Sequence, residues 1–266
     1  GNMLPDYVWE RARALGAAEL VAELRGWRGD LVGPRRSFTP TVSELSSPCP
    51  SKRDVYLSRV MVLKPPDGQL LRVGAVLHSA FLEPFRAALR PGRLMEELAA
   101  RKAGVLRGLT GQLRRRAAEA FDVAASFASS WVFGGRRLPV AVEPELPGSP
   151  IGLSGVVKPD LVVGVVPVDF VFGDGSRKEL AVAAYAMALE AAALVPVNFG
   201  VVVSLSWEGR VSWRVVTVDD ELRGRVLDVR DEIARIVESG DDPGRADSCP
   251  QLCPWRGVCL EGAVRL

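Results

Sequence analysis

The sequence predicts an α/β fold, and three observations carry the expectation. Valine-rich runs at residues 137–143, 153–163, 165–173 and 198–205 are bounded by glycine or proline, as strands buried on both faces are. An alanine-rich stretch at 178–194 reads as a helix between the third and fourth runs, and a strand at 210–216 and a helix at 219–238 follow them. Helix, three strands, helix and strand in succession is an α/β order.

The elements ahead of this unit are helical. Residues 7–24 carry apolar side chains at helical spacing, ended by Gly26. Residues 28–50 hold proline, serine and glycine, so Cys49 falls on a loop, ahead of a helix expected at 53–63. Pro65-Pro66-Asp67-Gly68 predicts a turn. Residues 70–89 place Val73, Val76, Leu77, Ala80 and Phe81 at helical spacing, which puts His78 on a helix. A second helical stretch covers 96–127, with a break expected near 104–111. Beyond Gly240 the chain turns polar and enters a cysteine cluster. The implied organisation is a helical region at 1–135, a core at 136–240 and a cysteine-rich tail at 241–266.

A chain of 266 residues can bury a full core. Its formal charge of +2 does not announce a nucleic-acid binder, so any basic footprint is local. Arginine supplies 29 of 34 basic residues while asparagine and glutamine together number five, a balance that suits a thermophile or a GC-rich genome. Gly1-Asn2 before Met3 looks like an expression scar, no leader follows, and the apolar runs are too short to span a bilayer. A cytoplasmic protein with no membrane partner is expected; homo-oligomer formation stays open.

Four cysteines stand as one and three: Cys49, then Cys249, Cys253 and Cys259. All lie in proline-rich or short polar turns able to aim sulfur inward. Four thiolates suit an iron-sulfur cluster or a structural zinc; two disulfides or packed free thiols are the alternatives.

His78 is the only histidine, which excludes zinc hydrolases with several imidazole ligands and leaves no obvious serine triad. Lys158-Pro159-Asp160 and Pro167-Val168-Asp169 put two carboxylates on successive strands of a hairpin, among valines. Burying them costs several kcal/mol unless they are paired or bind a metal; otherwise they cap strand ends in solvent. Two aspartates and an imidazole suit Mg²⁺ or Mn²⁺, and such an ion in a nuclease polarises the scissile phosphate and activates water, with a nearby lysine supporting the developing charge.

The order of single cysteine, helical histidine, two acidic strands, tyrosine-bearing helix and three terminal cysteines resembles the CRISPR-associated iron-sulfur nucleases with a RecB-like core, in particular their archaeal type I-A subgroup. Ser43-Glu44-Leu45-Ser46-Ser47-Pro48-Cys49-Pro50-Ser51-Lys52-Arg53 resembles the family's first cysteine box and Gly74-Ala75-Val76-Leu77-His78 its histidine motif. Gly155-Val156-Val157-Lys158-Pro159-Asp160 and Val168-Asp169-Phe170 resemble its two acidic motifs. The resemblance covers roughly residues 40–262. It implies a restriction-endonuclease-like core of the RecB PD-(D/E)xK type and a four-iron (4Fe-4S) cluster, ahead of a two-iron (2Fe-2S) one, on Cys49, Cys249, Cys253 and Cys259. It further implies metal ligation by His78, Asp160 and Asp169, and exonuclease action on single-stranded DNA ends, trimming new CRISPR spacers beside the integrase proteins.

Two departures stand out. The family's second acidic residue is usually followed two positions later by lysine, but Asp169 is followed by Val171, which leaves Lys178 as the nearest candidate. The glutamine usual four positions before the tyrosine is Ala181, ahead of Tyr185, a residue that either supports a bound strand or packs in the core. The absent lysine also motivates a second reading, a catalytically inactive DNA-binding scaffold; a redox sensor is a third. Candidate DNA contacts are Arg101, Lys102, Arg107, Arg114, Arg115 and Arg116, with Arg107 and Arg114 expected on one helical face. Trp131 is a candidate base-stacking residue, and Trp255, between two cysteines, is expected to shield the cluster.

Overall fold

The structure is a computed structural model that describes residues 4–17, 21–65, 69–134, 138–173, 178–206, 208–250 and 253–261. Valine-rich strands form because both faces of the sheet are covered. The main sheet has five strands in the order β1-β4-β5-β6-β7: β1 Val140–Val142, β4 Leu161–Val163, β5 Val166–Phe172, β6 Phe199–Leu205 and β7 Val211–Thr217. Only β5 and β6 run parallel, joined through helix α8, Lys178–Ala193; the other neighbours are antiparallel. A two-stranded ribbon pairs β2, Leu146–Pro147, with β3, Val156–Val157.

Alternation along the strands sorts the core into two layers. Val166, Val168 and Phe170 of β5, with Val201, Val203 and Leu205 of β6, face helices α5, Gln69–Ala88, and α7, Gly111–Phe133. Val171 and Val202 face α8, which α9, Asp220–Ser239, covers from outside. Helix α8 is buried almost all round, which explains its alanine content: small side chains let sheet, ribbon and α9 approach together. The fit is tight enough that a Cβ on Gly200 would meet Val182 Cγ1 at 2.2 Å, and one on Gly26 would meet the Met187 carbonyl oxygen at 1.8 Å.

The N-terminal segment comprises α1, Asp6–Ala17, then α2, Gly29–Val32, and α3, Val42–Leu45. The expected helix at 7–24 is therefore shorter: residues 18–20 lie outside the described residues, and 21–24 are not helical. The Glu23 and Leu24 amides donate instead to Asp220, at 2.8 and 2.9 Å. The helix expected at 53–63 is α4, Arg53–Val55, continuing as a π turn over Tyr56–Val60. The turn expected at Pro65-Pro66-Asp67-Gly68 falls largely on residues 66–68, outside the described residues. The long second helix does break, into α6, Leu94–Leu106, and α7, because Gly108 and Gly111 adopt positive φ of 73° and 56°.

One expected strand divides in two. Residues 153–163 hold β3 and β4 separately, since Pro159 has no N–H to give a ladder. A short helix, α10, Arg256–Glu261, carries the last cysteine and was not anticipated. No helix among the described residues is long and apolar enough to cross a membrane.

Candidate active site

The hairpin from β4 to β5 sets the two aspartates. Leu161 pairs with Val168, so one further step in that register puts Asp160 opposite Asp169. Both carboxylates are buried, at 7% and 2% exposure, which overturns the alternative of solvent-exposed strand caps. His78 arrives from the other layer. Phe81, one helical turn along α5, stacks on Phe170 of β5 at 4.3 Å between centroids and so fixes the helix over the strand.

His78 Nε2 lies 2.7 Å from Asp160 Oδ1; a carboxylate only accepts, so the ring donates. The Phe170 amide donates to Asp160 Oδ2 at 2.6 Å. The bond to Asp160 raises the imidazole pKa above its ordinary value, against burial and with the help of Glu143 and Asp169. Lys178, the first residue of α8, brings Nζ to 2.9 Å from Asp169 Oδ2. The ammonium and the buried carboxylate oxygen thus form a close ion pair. Burial, then the neighbouring Asp160 charge, pushes Asp169 up to about 6, with Lys178 and His78 opposing. On Lys178 burial favours the neutral amine, but the Asp169 carboxylate outweighs it and the pKa rises. Burial, then Asp169 and Asp160, raises the Tyr185 phenol, which puts this residue within reach of the site's field although it belongs to the α8 core.

The sequence-predicted residues His78, Asp160, Asp169, Lys178 and Tyr185 therefore gather at the end of the hairpin. Glu143, which sequence reasoning missed, sits at the rim. Its amide donates to the Asp160 carbonyl at 2.9 Å, its side chain pairs with Arg86, and its φ is +46°. In sequence it is only an acid closing a valine run; the pairing of β1 with β4 is what sets it beside Asp160.

No three His, Cys, Asp or Glu side chains among the described residues converge to hold a metal ion. Both Asp160 oxygens are engaged, by His78 and by the Phe170 amide, and Asp169 Oδ2 is engaged by Lys178. The donor chemistry nevertheless fits a hard divalent cation: two buried carboxylates and an imidazole.

The cysteines form a separate corner. None is in a disulfide. Cys249, Cys253 and Cys259 pack with Leu57 and Trp255, and Trp255 is 5% exposed, in keeping with a shielding role. Cys49 and Cys249 both act electrostatically on Cys253 and Cys259. Burial foremost pushes the Cys253 thiol up to about 11. Three unpaired cysteines share one apolar corner, with Cys49 coupled to them electrostatically, a thiol set of the kind soft metals prefer, although no three of them converge on one point among the described residues.

Most of the candidate DNA contacts have partners within the chain. Arg101 pairs with Glu83 and Glu97, Lys102 with Asp122 at 2.5 Å, and Arg116 with Glu119 at 2.6 Å. Arg114 Nη1 donates to the Leu106 carbonyl at 2.7 Å. Arg107 caps the end of α6 rather than sharing a face of α7 with Arg114, because the two glycines break the helix between them. Arg107 and Arg115 are exposed. Trp131 Nε1 is tied to the Leu138 carbonyl at 2.9 Å.

The fold and this site together define a mixed α/β protein with two buried aspartates, a half-buried histidine and a half-buried lysine at a hairpin end. The sequence profile of the family described as "CRISPR-associated exonuclease Csa1" matches residues 4–262, and the chain belongs to that family. A protein of Thermoproteus tenax (strain ATCC 35583 / DSM 2078 / JCM 9277 / NBRC 100435 / Kra 1) described as "CRISPR-associated exonuclease Csa1" is 34% identical over 268 residues, 92% of this chain and 93% of the relative. A protein of the same description from Saccharolobus solfataricus (strain ATCC 35092 / DSM 1617 / JCM 11322 / P2) is 30% identical over 128 residues, 46% of this chain and 44% of its own length.

Proposed function

We propose that this protein is a divalent-metal-dependent DNA exonuclease built on a RecB-type core, acting on single-stranded ends during CRISPR spacer acquisition beside the integrase proteins. The observation that carries the reading is the pair of buried carboxylates: Asp169, 2% exposed, faces Asp160, 7% exposed, with the Lys178 ammonium at 2.9 Å from Asp169. Two facing buried carboxylates are costly to keep charged unless a further cation joins them. His78, Asp160 and Asp169 would hold Mn²⁺ or Mg²⁺, which when bound supplies Lewis-acid activation of phosphate and water. Lys178, entering from α8, takes the place of a lysine at 171; its ammonium orients Asp169 and faces the charge that develops on the phosphate. Tyr185, buried in the α8 core, lies within the field of both carboxylates. The four cysteines hold an iron-sulfur cluster with a structural role.

Linear and circular single-stranded DNA, each incubated with Mn²⁺ or EDTA, test this. Release of nucleotides from the linear substrate only, and only with Mn²⁺, is expected; cleavage in EDTA or none at all contradicts it. The engagement of both Asp160 oxygens favours a second reading, a DNA-binding scaffold of the same assembly without chemistry. Retained DNA binding with no degradation in Mn²⁺ would select it.

A further inference from the structure

We propose that a polar clasp between the Cys49 loop and the segment leading to Cys249 docks the C-terminal tail before any metal is bound, so that protein contacts alone hold the cysteine triplet beside the Cys49 loop. The inference rests on the reading of the cysteine corner as a soft-metal site and concerns what holds it together.

The N-terminal half of the clasp is rigid by construction. Thr41 and Glu44 form a reciprocal capping box on α3, and Arg59 grips Glu44 at 2.6 Å. Lys52, 6% exposed and in the left-handed region at φ +57°, donates Nζ to the carbonyls of Glu44, Leu45 and Ser47 at 3.2, 2.9 and 3.3 Å. The Ser47 hydroxyl bonds Asp54 and receives the Cys49 amide at 3.2 Å. An ammonium folded back onto three carbonyls of its own loop is committed to holding that loop's shape, and the loop presents Cys49.

The tail is attached to this platform by contacts nearly two hundred residues apart in sequence. Arg53 grips Asp242 with Nε at 2.9 and 3.2 Å from its two oxygens and Nη2 at 2.7 Å, a bidentate fork. Asp242 Oδ1 also receives the Gly244 amide at 2.9 Å, and the Gly244 carbonyl accepts from Ser51 Oγ at 2.9 Å. Ser51 Oγ in turn lies 3.7 Å from Cys49 Sγ. With its one proton given to Gly244, the serine hydroxyl receives the thiol proton, so the chain of contacts ends on the sulfur itself. Arg53 further interacts with the Cys259 sulfur, and Arg256 Nη1 reaches the Cys249 carbonyl at 3.4 Å. Residues 51, 53, 242 and 244 thus link Cys49 to both ends of the cysteine triplet without a ligand.

A tail tethered only by its metal would leave with it. A clasped tail stays beside the Cys49 loop when the metal is absent, which lowers the ordering cost of binding and raises affinity. Outer contacts of this kind commonly alter metal affinity by about 10–100-fold.

The experiment uses the full chain, stripped of metal, as wild type, Asp242→Asn and Ser51→Ala. Trypsin cleavage after exposed Arg245 is followed by mass spectrometry, and Co²⁺ binding is followed by its thiolate charge-transfer absorption. Expected is slow cleavage in metal-free wild type, at least fivefold faster cleavage in both variants, and Co²⁺ affinity about tenfold weaker in the variants. Equal cleavage rates in all three proteins would overturn the proposal. Faster cleavage in the variants with no Co²⁺ binding by any of them would uphold the clasp as a tether and remove the soft-metal reading instead.

Discussion

Removing the Lys178 charge gives a sharp view of the site's electrostatics. Lys178→Gln keeps polarity and most of the side chain's length but deletes a cation 2.9 Å from a carboxylate that is almost wholly buried. At an effective dielectric of about 20 the gross attraction at that separation is about 6 kcal/mol, most of it set against desolvation. Opposite charges this close typically displace a carboxylate pKa by about one to three pH units, equivalent to about 1.4–4 kcal/mol. Asp169 stands at about 6 with the lysine present, since burial already exceeds what the lysine returns. Without Lys178 its midpoint should rise to about 7–9. A ¹³C-carboxylate NMR titration of the metal-free wild type and variant reads this directly, with the two aspartates treated as a coupled pair. An Asp169 midpoint unmoved by the substitution would refute the assignment of Lys178 as its counter-ion.

Other expectations follow from the same contacts. Asp169 is raised in the fold, so its contribution to stability is full below its unfolded value of 3.8 and lost as pH rises through about 6; this amounts to about 3 kcal/mol. His78 acts in the same direction, its contribution full below 6.5 and lost as pH rises through its elevated folded value. Glu190, lowered in the fold, loses its contribution as pH falls below 4.5. Calorimetry of the metal-free protein should therefore show highest stability near pH 5 and a decline toward pH 8, and a rise over that interval would contradict the assignments. Glu190→Gln leaves Arg223, which is fully buried, and Arg25 without their shared carboxylate. It should cost about 3–5 kcal/mol in urea unfolding, and a loss under about 1 kcal/mol would argue against this network as the tie between the N-terminal segment and α8. Arg115→Ala should weaken single-stranded DNA binding and flatten its salt dependence by roughly one counterion, whereas Arg101→Ala, which breaks pairs with Glu83 and Glu97, should lower thermal stability with DNA affinity little changed. Titrations at several salt concentrations separate the two.

Much of this was legible because the residues involved obey strong local rules. Valine runs between glycines gave strands, and the hairpin that joins Asp160 to Asp169 was readable from Val165 and its neighbours. The helical placement of His78 followed from apolar spacing on α5. What escaped were features set by distant contacts. The first helix stops early because Asp220 captures the backbone at Glu23 and Leu24. The six basic residues in and between α6 and α7 looked like DNA contacts, yet Glu83, Glu97, Asp122 and Glu119 engage three of them and the Leu106 carbonyl a fourth, which spacing alone does not reveal. Lys178 was the nearest lysine in sequence, and it reaches the site because the parallel β5-α8-β6 unit starts its helix beside Asp169. Glu143 and the Arg53–Asp242 pair belong to no periodic pattern; only the folded register brings them into place.

The most direct test of the central claim is the rate of Mn²⁺-dependent degradation of end-labelled single-stranded DNA by Asp160→Ala beside wild type, on protein whose near-ultraviolet circular dichroism matches wild type. Asp160 engages His78 and faces Asp169, so the account predicts active wild type and activity in the variant reduced by at least a thousandfold. Equal degradation by both proteins would place the chemistry elsewhere and contradict it.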